Sequence, residues 1–292
     1  MSAGFFATVV VKPICGTLFL VGVALLLPGF WWSAPVRLSV EFDPSGQRIL
    51  APVVGPRYAE GVHALISGMG LILLSSIIDL SVHCCSLHSG GPGRHRAVEP
   101  SQSTGALLVE GAPSFGRPRQ LSPRWSLAAE VVVLVIQVLA ATLNLLCCIV
   151  ALPRFALAKP PARLAGMPAP DLSNTLLKAG SALYLLTVVL AMSKEVTSIR
   201  GAWRIRKSAA VHLFTLSPLL LLIVAQSFLF ANTFFPARKA LEAANLRIAA
   251  AFCLLFGVMP LFALGLRESY VKARDVVKPV SQSPPTTQVI IA

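Results

Sequence analysis

Charged residues are scarce in this chain. Only 13% of its 292 residues are Asp, Glu, Lys or Arg, about half the share found in an average soluble domain. Hydrophobic residues make up 55% of the chain, and the mean hydropathy is +0.74. This composition excludes an ordinary soluble globular protein, because the chain has too few polar side chains to cover its apolar ones.

Acidic residues are scarcer than basic ones, which raises the question of an anionic partner. The 25 Lys and Arg residues outnumber the 12 Asp and Glu residues, so the net charge is +13. The basic residues lie between apolar runs and not along one face with interleaved aromatic residues, which argues against nucleic acid. We therefore expect the partner to be the lipid bilayer, with anionic cytoplasmic lipid facing the basic segments.

Recognised catalytic and metal-binding motifs are absent from the sequence. It contains no Walker loop, no G-x-S-x-G elbow and no H-E-x-x-H or D-x-x-D pair, and its five histidines are scattered. Its six cysteines form no disulfide framework, and "HCCSLH" at 83–88 does not match a zinc spacing. We therefore expect no metal and no cofactor.

Long apolar runs are the dominant feature that is present. A window of about 19 residues finds six runs long enough to cross a ~30 Å hydrocarbon core as helices. Such segments must satisfy their backbone hydrogen bonds internally, so the predicted fold class is an all-α integral membrane protein with six transmembrane helices. The predicted spans are Pro13–Trp32, Gly61–Leu80, Leu127–Leu152, Asn174–Met192, Val211–Ala231 and Ile248–Leu266.

The first run could also belong to a secretory signal peptide. Its apolar core is longer than usual for a signal peptide, and no A-x-A cleavage pattern follows it. It ends in Trp31 and Trp32, which are typical of an interfacial aromatic belt. These features favour a retained helix.

The distribution of basic residues predicts how the helices are oriented. With the amino terminus in the cytoplasm, 15 Lys and Arg residues fall on the cytoplasmic side and nine on the other, with Lys178 inside the fourth span. The positive-inside rule therefore favours a multi-pass chain with both termini in the cytoplasm.

The connecting segments complete the predicted organisation. Helices 1 and 2 occupy 1–83, and their loop, 33–60, contains two β-rich runs around "DPSGQ", which predicts a short β-hairpin on the non-cytoplasmic side. Residues 84–126 are rich in Gly, Pro and Ser, which indicates a disordered cytoplasmic loop. Helices 3 to 6 fill 127–267, and 268–292 is expected to be a flexible cytoplasmic tail.

Polar residues inside the predicted spans are candidates for a substrate or ion path, because they are costly in lipid without a partner. Two carboxyl groups near the cytoplasmic ends of their spans could also act as general acids. The alternative is that the charged residues are interfacial and the amides join helices. The candidates are Asp79, Glu130, Gln137, Asn144, Lys178 and Gln226, with Asp79 and Glu130 also the candidate catalytic acids.

Two further sites are expected at the cytoplasmic surface. Arg200, Arg204, Arg206 and Lys207 form a predicted basic patch that either fixes topology or binds anionic lipid. Cys84 and Cys85 follow the second span closely, which makes them candidates for S-palmitoylation.

Three functions remain open from the sequence. Pro218 and Pro260 can kink the last two spans, and broken helices are typical of transporters, so the first hypothesis is a protein that moves or handles a lipid or small hydrophobic molecule without ATP hydrolysis. The second is a membrane-embedded enzyme that acts on a lipid or isoprenoid-like substrate by acid catalysis. The third is an accessory or scaffold protein. The substrate and the oligomeric state are not predicted.

Overall fold

Most of the described chain is helical. A computed structural model describes residues 7–42, 48–89, 123–151, 163–164, 167–204, 209–235 and 239–277. A π-helical turn, Ala7–Val11, leads into the first of six long helices. The helices are α1 (Lys12–Ser33), α2 (Tyr58–Ser89), α3 (Pro123–Ala151), α4 (Ala169–Arg204), α5 (Ala209–Asn232) and α6 (Ala240–Val277).

Each predicted span falls within one helix, apart from Leu152, which is outside the described residues. The helices extend beyond the apolar runs: α2 continues through Ser89, α4 through Arg204 and α6 through Val277. The edges of the predicted loop 84–126 and the start of the predicted tail 268–292 are therefore helical. A hydropathy window detects the length of chain that matches a bilayer, whereas a helix continues wherever its backbone hydrogen bonds can propagate.

Five helices contain segments that are long and apolar enough to cross a membrane, which supports an integral membrane protein built from α-helices. In α5 the apolar stretch among the described residues is shorter, Leu216–Asn232. Large apolar side chains such as Ile77, Val132 and Phe256 are exposed on the outside of the bundle. An outer surface of this kind suits contact with lipid and not with water.

The six helices form a closed ring. Each helix packs against the next one along the chain, and α1 also packs against α6. Small residues lie where the helices meet, and Ala140, Ala225 and Ala251 have no exposed surface. Small side chains let helix backbones approach closely, which is the usual basis of helix association in membranes.

Helices α1 and α2 approach each other closely. A Cβ atom added at Gly22 would lie 2.7 Å from the carbonyl oxygen of Gly68, and one added at Gly68 would lie 2.7 Å from the carbonyl oxygen of Gly22. A Cβ atom added at Gly70 would meet no atom of another described helix within 4 Å. Of these two α2 glycines, Gly68 is therefore the one that takes part in the helix contact. The Ser75 hydroxyl adds a hydrogen bond to the Cys15 carbonyl, at 2.9 Å.

Two short strands lie between α1 and α2. Strand β1 (Pro35–Phe42) pairs antiparallel with β2 (Arg48–Val54), in a register that places Val40 opposite Leu50. Strand β1 also contacts α6. The predicted turn, 43–47, lies outside the described residues. A second pair, β3 (Arg163–Leu164) and β4 (Met167–Pro168), precedes α4.

Candidate functional site

A cavity of about 620 Å³ lies inside the helix ring, and all six helices contribute to its wall. Its lining residues lie in the first half of α1 and α3, in the second half of α2 and from the middle onward in α4 and α6, while α5 contributes Leu219, Leu222 and Gln226. In α1 to α4 successive helices therefore run in opposite directions, and the cavity lies toward one end of the bundle. Lys12 and Leu266 are exposed at this end, which we call the mouth. Its volume is within the range of small-molecule binding sites, about 300–1,000 Å³.

The wall of the cavity has two chemically different sides. Helices α5 and α6 supply an almost continuous apolar side that includes Leu219, Leu222, Val258 and Phe262. Helices α2, α3 and α4 supply most of the polar groups. These are Ser75, Ser76, Asp79, His83, Glu130, Gln137, Tyr184, Thr187 and Lys194. The cavity is therefore suited to an amphiphilic molecule.

A network of ionisable side chains joins three helices at the mouth. Lys194 Nζ lies 2.5 Å from Glu130 Oε1. His83 Nε2 lies 3.9 Å from Glu130 Oε2, and His83 Nδ1 lies 3.5 Å from Asp79 Oδ1. His83 Nδ1 is also 2.9 Å from the backbone carbonyl of Asp79, one turn earlier in α2. These contacts connect α2, α3 and α4 and place an imidazole between two carboxylates.

Beside the inner end of the cavity lies a small, mostly apolar chamber of about 40 Å³ that contains three polar side chains. Phe19, Tyr184, Gln226 and Leu254 line both spaces, so the two are adjacent. Asn144 lies in the chamber wall, where it packs against Gly180. Asn144, Tyr184 and Gln226 are 4%, 8% and 7% exposed, respectively.

Each of these three side chains has a buried oxygen without a hydrogen-bond partner in the described part of the chain. The atoms are Asn144 Oδ1, Tyr184 Oη and Gln226 Oε1. Leaving a buried polar group unsatisfied costs about 1–3 kcal/mol, and most buried polar groups in proteins are paired. The chamber is therefore a place where water or the polar group of a ligand would be stabilised.

Helical periodicity explains how the sequence places these side chains. In α4, Tyr184, Thr187, Ala191 and Lys194 recur every three or four residues and share one face of the helix. In α3, residues 130, 133, 137 and 144 share one face at spacings of three, four and seven, and in α2 residues 76, 79 and 83 are three and four apart, with Ser75 beside Ser76. Polar stripes on apolar helices point into the ring, because there they avoid lipid.

The structure brings five of the six predicted path residues together. Asp79, Glu130, Gln137 and Gln226 line the main cavity, and Asn144 lines the chamber. The Gln137 amide donates a hydrogen bond to Ser76 Oγ at 3.2 Å, which joins α3 to α2.

Lys178 is not part of this site. It lies near the start of α4, toward the end of the bundle opposite the mouth, with its Nζ 4.9 Å from the centre of the Phe234 ring. A cation over an aromatic face is a stabilising contact that needs no substrate. This arrangement agrees with the interfacial alternative for Lys178.

The two surface sites are described only in part. Cys84 and Cys85 are exposed near the end of α2, close to the mouth. The backbones of Arg200 and Arg204 belong to the last turns of α4, whereas Arg206 and Lys207 lie outside the described residues.

Several cavity residues are not among the sequence candidates. His83 and Lys194 complete the ionisable network, and Tyr184 is one of the three polar chamber residues. The periodic spacing of Tyr184, Thr187 and Lys194 on one face of α4 was a signal that could have identified them. By contrast, the position of His83 between two helices depends on how α2 and α3 pack.

The chemistry available at the mouth is binding of charged or polar groups and transfer of protons. His83 can exchange protons with the adjacent carboxylates, and Lys12 and Lys194 can attract an anionic group. Within the described ranges, no group of three or more His, Cys, Asp or Glu side chains is arranged to hold a metal ion.

Comparisons with protein-family models, with characterised proteins and with solved structures find no match to this chain.

Proposed function

We propose that this protein binds a lipid or small hydrophobic molecule in the cavity of its helix ring and moves it within or across the membrane without ATP hydrolysis. The observation that supports this proposal is the two-sided cavity, which combines an apolar wall on α5 and α6 with a charged mouth on α2, α3 and α4. Such a wall suits a hydrocarbon body, and such a mouth suits a polar group.

The proposal includes a specific membrane arrangement. In it all six helices cross the bilayer, with α5 completing the ring between α4 and α6. Both termini and the mouth face the cytoplasm, as the excess of basic residues favours. The β1–β2 pair then lies on the non-cytoplasmic side, where it covers the end of α6 that is remote from the mouth.

A cavity-blocking variant tests the proposed function. Val188 lines the cavity, whereas the next residue, Val189, is 42% exposed on the outside of α4. Val188→Trp fills part of the cavity, and Val189→Trp places the same side chain toward lipid. Lipids and small hydrophobic metabolites are measured by mass spectrometry, inside and outside cells that make each form or lack the protein.

The expected result is a compound whose total amount is unchanged but whose distribution between the two pools depends on the protein. This redistribution is lost in Val188→Trp and retained in Val189→Trp, provided that both variants reach the membrane in normal amounts. If both variants behave like the original protein, the cavity is not the path. If no compound changes in any cell, the scaffold hypothesis gains support over transport.

A second candidate function is acid catalysis on a hydrophobic substrate. The specific observation in its favour is the contact of His83 with both Asp79 and Glu130, since a carboxylic acid that donates a proton to a substrate could be reprotonated through the imidazole. An enzyme would make a product disappear and a precursor accumulate when the protein is absent. Asp79→Asn or Glu130→Gln would then abolish product formation while leaving insertion into the membrane intact.

A further inference from the structure

The inner chamber restricts the class of molecule that can occupy the cavity. A hydrocarbon chain that leaves the bilayer for an apolar cavity gains little hydrophobic free energy, because lipid tails are as apolar as the cavity wall. Selection among lipids must therefore come mainly from polar contacts. The cavity offers such contacts at two places, the charged mouth and the inner chamber.

The chamber is suited to one uncharged polar group. Its volume of about 40 Å³ exceeds the roughly 10–15 Å³ that a cavity needs to hold one water molecule. Asn144, Tyr184 and Gln226 line the chamber, and each has an unpaired oxygen that can accept a hydrogen bond, while the tyrosine hydroxyl can also donate one. A hydroxyl group both donates and accepts, so it can satisfy more than one of these oxygens.

A charged group is a poor match for the same chamber. Among the described residues, none of the side chains that line it is a carboxylate or a cation; apart from two amides and one phenol they are apolar. An ion placed there would lose its hydration without gaining an opposite charge, which is strongly unfavourable. The charged end of an amphiphile is instead favoured at the mouth, where Lys12, Lys194 and His83 lie beside two carboxylates.

The distance between the mouth and the inner chamber sets the length of the ligand. Tyr184 and Lys194 both lie on α4, ten residues apart, which corresponds to about 15 Å along the helix axis. Apolar residues of α5 and α6 line the space between these depths.

We propose that the ligand is an amphiphile with a polar group at each end, whose inserted end carries a hydroxyl that binds Asn144, Tyr184 and Gln226. This inference rests on the proposed function, because it names the class of molecule that the cavity takes. The outer end carries the charged group and stays at the mouth.

Three probes that differ at one end test the proposal. They are 12-hydroxydodecanoic acid, 12-methoxydodecanoic acid and dodecanoic acid, which share a chain of suitable length and a carboxylate for the mouth. Binding to the full chain in lipid nanodiscs is measured by competition against isotope-labelled 12-hydroxydodecanoic acid. We expect the hydroxy acid to bind about tenfold more tightly than either analogue, because neither analogue can donate a hydrogen bond in the chamber.

Tyr184→Phe is the test variant because it removes only the phenolic oxygen, and Tyr270→Phe is its matched control on an exposed part of α6. We expect the preference for the hydroxy acid to fall to about threefold or less in Tyr184→Phe and to be unchanged in Tyr270→Phe. Selectivity is a ratio of affinities within one protein, so it does not depend on equal yields of the variants.

Each outcome decides the question. If the original protein binds the three probes equally, the chamber holds only water and the inference is wrong, while the cavity remains a binding site. If the hydroxy acid is preferred but the preference survives in Tyr184→Phe, the hydroxyl binds elsewhere. If no probe binds to protein that nevertheless moves a lipid in the cell assay, the proposed function stands and the ligand class is wrong.

Discussion

Lys194 Nζ lies 2.5 Å from Glu130 Oε1, which ties the mouth end of α4 to the mouth end of α3. On its other oxygen Glu130 faces His83 of α2, at 3.9 Å. One carboxylate thus connects the three helices that carry the polar side of the cavity. Movement of either neighbouring helix at the mouth would have to break one of these contacts.

The Glu130–Lys194 pair should contribute measurably but modestly to stability. Its side chains are 36% and 68% exposed, and exposed ion pairs typically contribute about 0.2–1 kcal/mol. We therefore expect Glu130→Gln and Lys194→Met, made singly and together, to give a coupling energy in this range when unfolding is followed in detergent micelles. The Lys239–Glu242 pair at the start of α6, at 3.3 Å, is the control, with an expected coupling in the lower half of that range. A coupling of zero at Glu130 and Lys194 would show that the network does not hold the mouth together.

Two glycines in α2 should respond oppositely to the same substitution. Gly68→Ala places a Cβ 2.7 Å from the Gly22 carbonyl oxygen, so α1 and α2 must separate, at a cost of about 1–3 kcal/mol. The methyl group of Gly70→Ala meets no atom of another described helix within 4 Å, so this substitution should be neutral or stabilise the helix by up to about 1 kcal/mol. Thermal unfolding of both variants measures the difference. Equal effects would mean that α1 and α2 do not approach at Gly68.

Thiol labelling should report the orientation of the mouth. Cys84 and Cys85 are exposed, whereas Cys15 and Cys147 are buried. With the mouth in the cytoplasm, a membrane-impermeant maleimide should label the protein only after the membrane is permeabilised, and Cys84→Ser with Cys85→Ser should remove most of the label. Labelling of intact cells would contradict the proposed orientation.

The same reagent tests the predicted S-palmitoylation of Cys84 and Cys85. An increase in maleimide labelling after hydroxylamine treatment would identify S-acylation at these cysteines.

The same labelling tests the predicted basic patch. Neutralising Arg200, Arg204, Arg206 and Lys207 together removes four of the 15 basic residues predicted on the cytoplasmic side. The fraction of protein labelled without permeabilisation should therefore rise. Neutralising Arg37, Arg48 and Arg57 on the opposite side is the control and should not raise it. An unchanged pattern in the first variant would leave lipid binding as the alternative role of the patch.

The sequence by itself determined the helices and their apolar surfaces. A bilayer requires long apolar segments with internal backbone hydrogen bonds, and both requirements are local, so they can be recognised in a window of the chain. The polar stripes are local as well: Glu130, Gln137 and Asn144 share one face of α3 because of the helical repeat. Five of six predicted path residues therefore lie at the cavity or its chamber.

Only the tertiary structure decided which helices are neighbours and which polar residues meet. The contact of α1 with α6 closes the ring, and it joins segments more than 200 residues apart in the chain. That closure creates the cavity, places Tyr184 of α4 and Gln226 of α5 in one chamber, and leaves Lys178 outside it. The physical reason is that helix packing in a membrane depends on close fit between distant surfaces, such as Gly22 against Gly68, and no local pattern specifies such a fit.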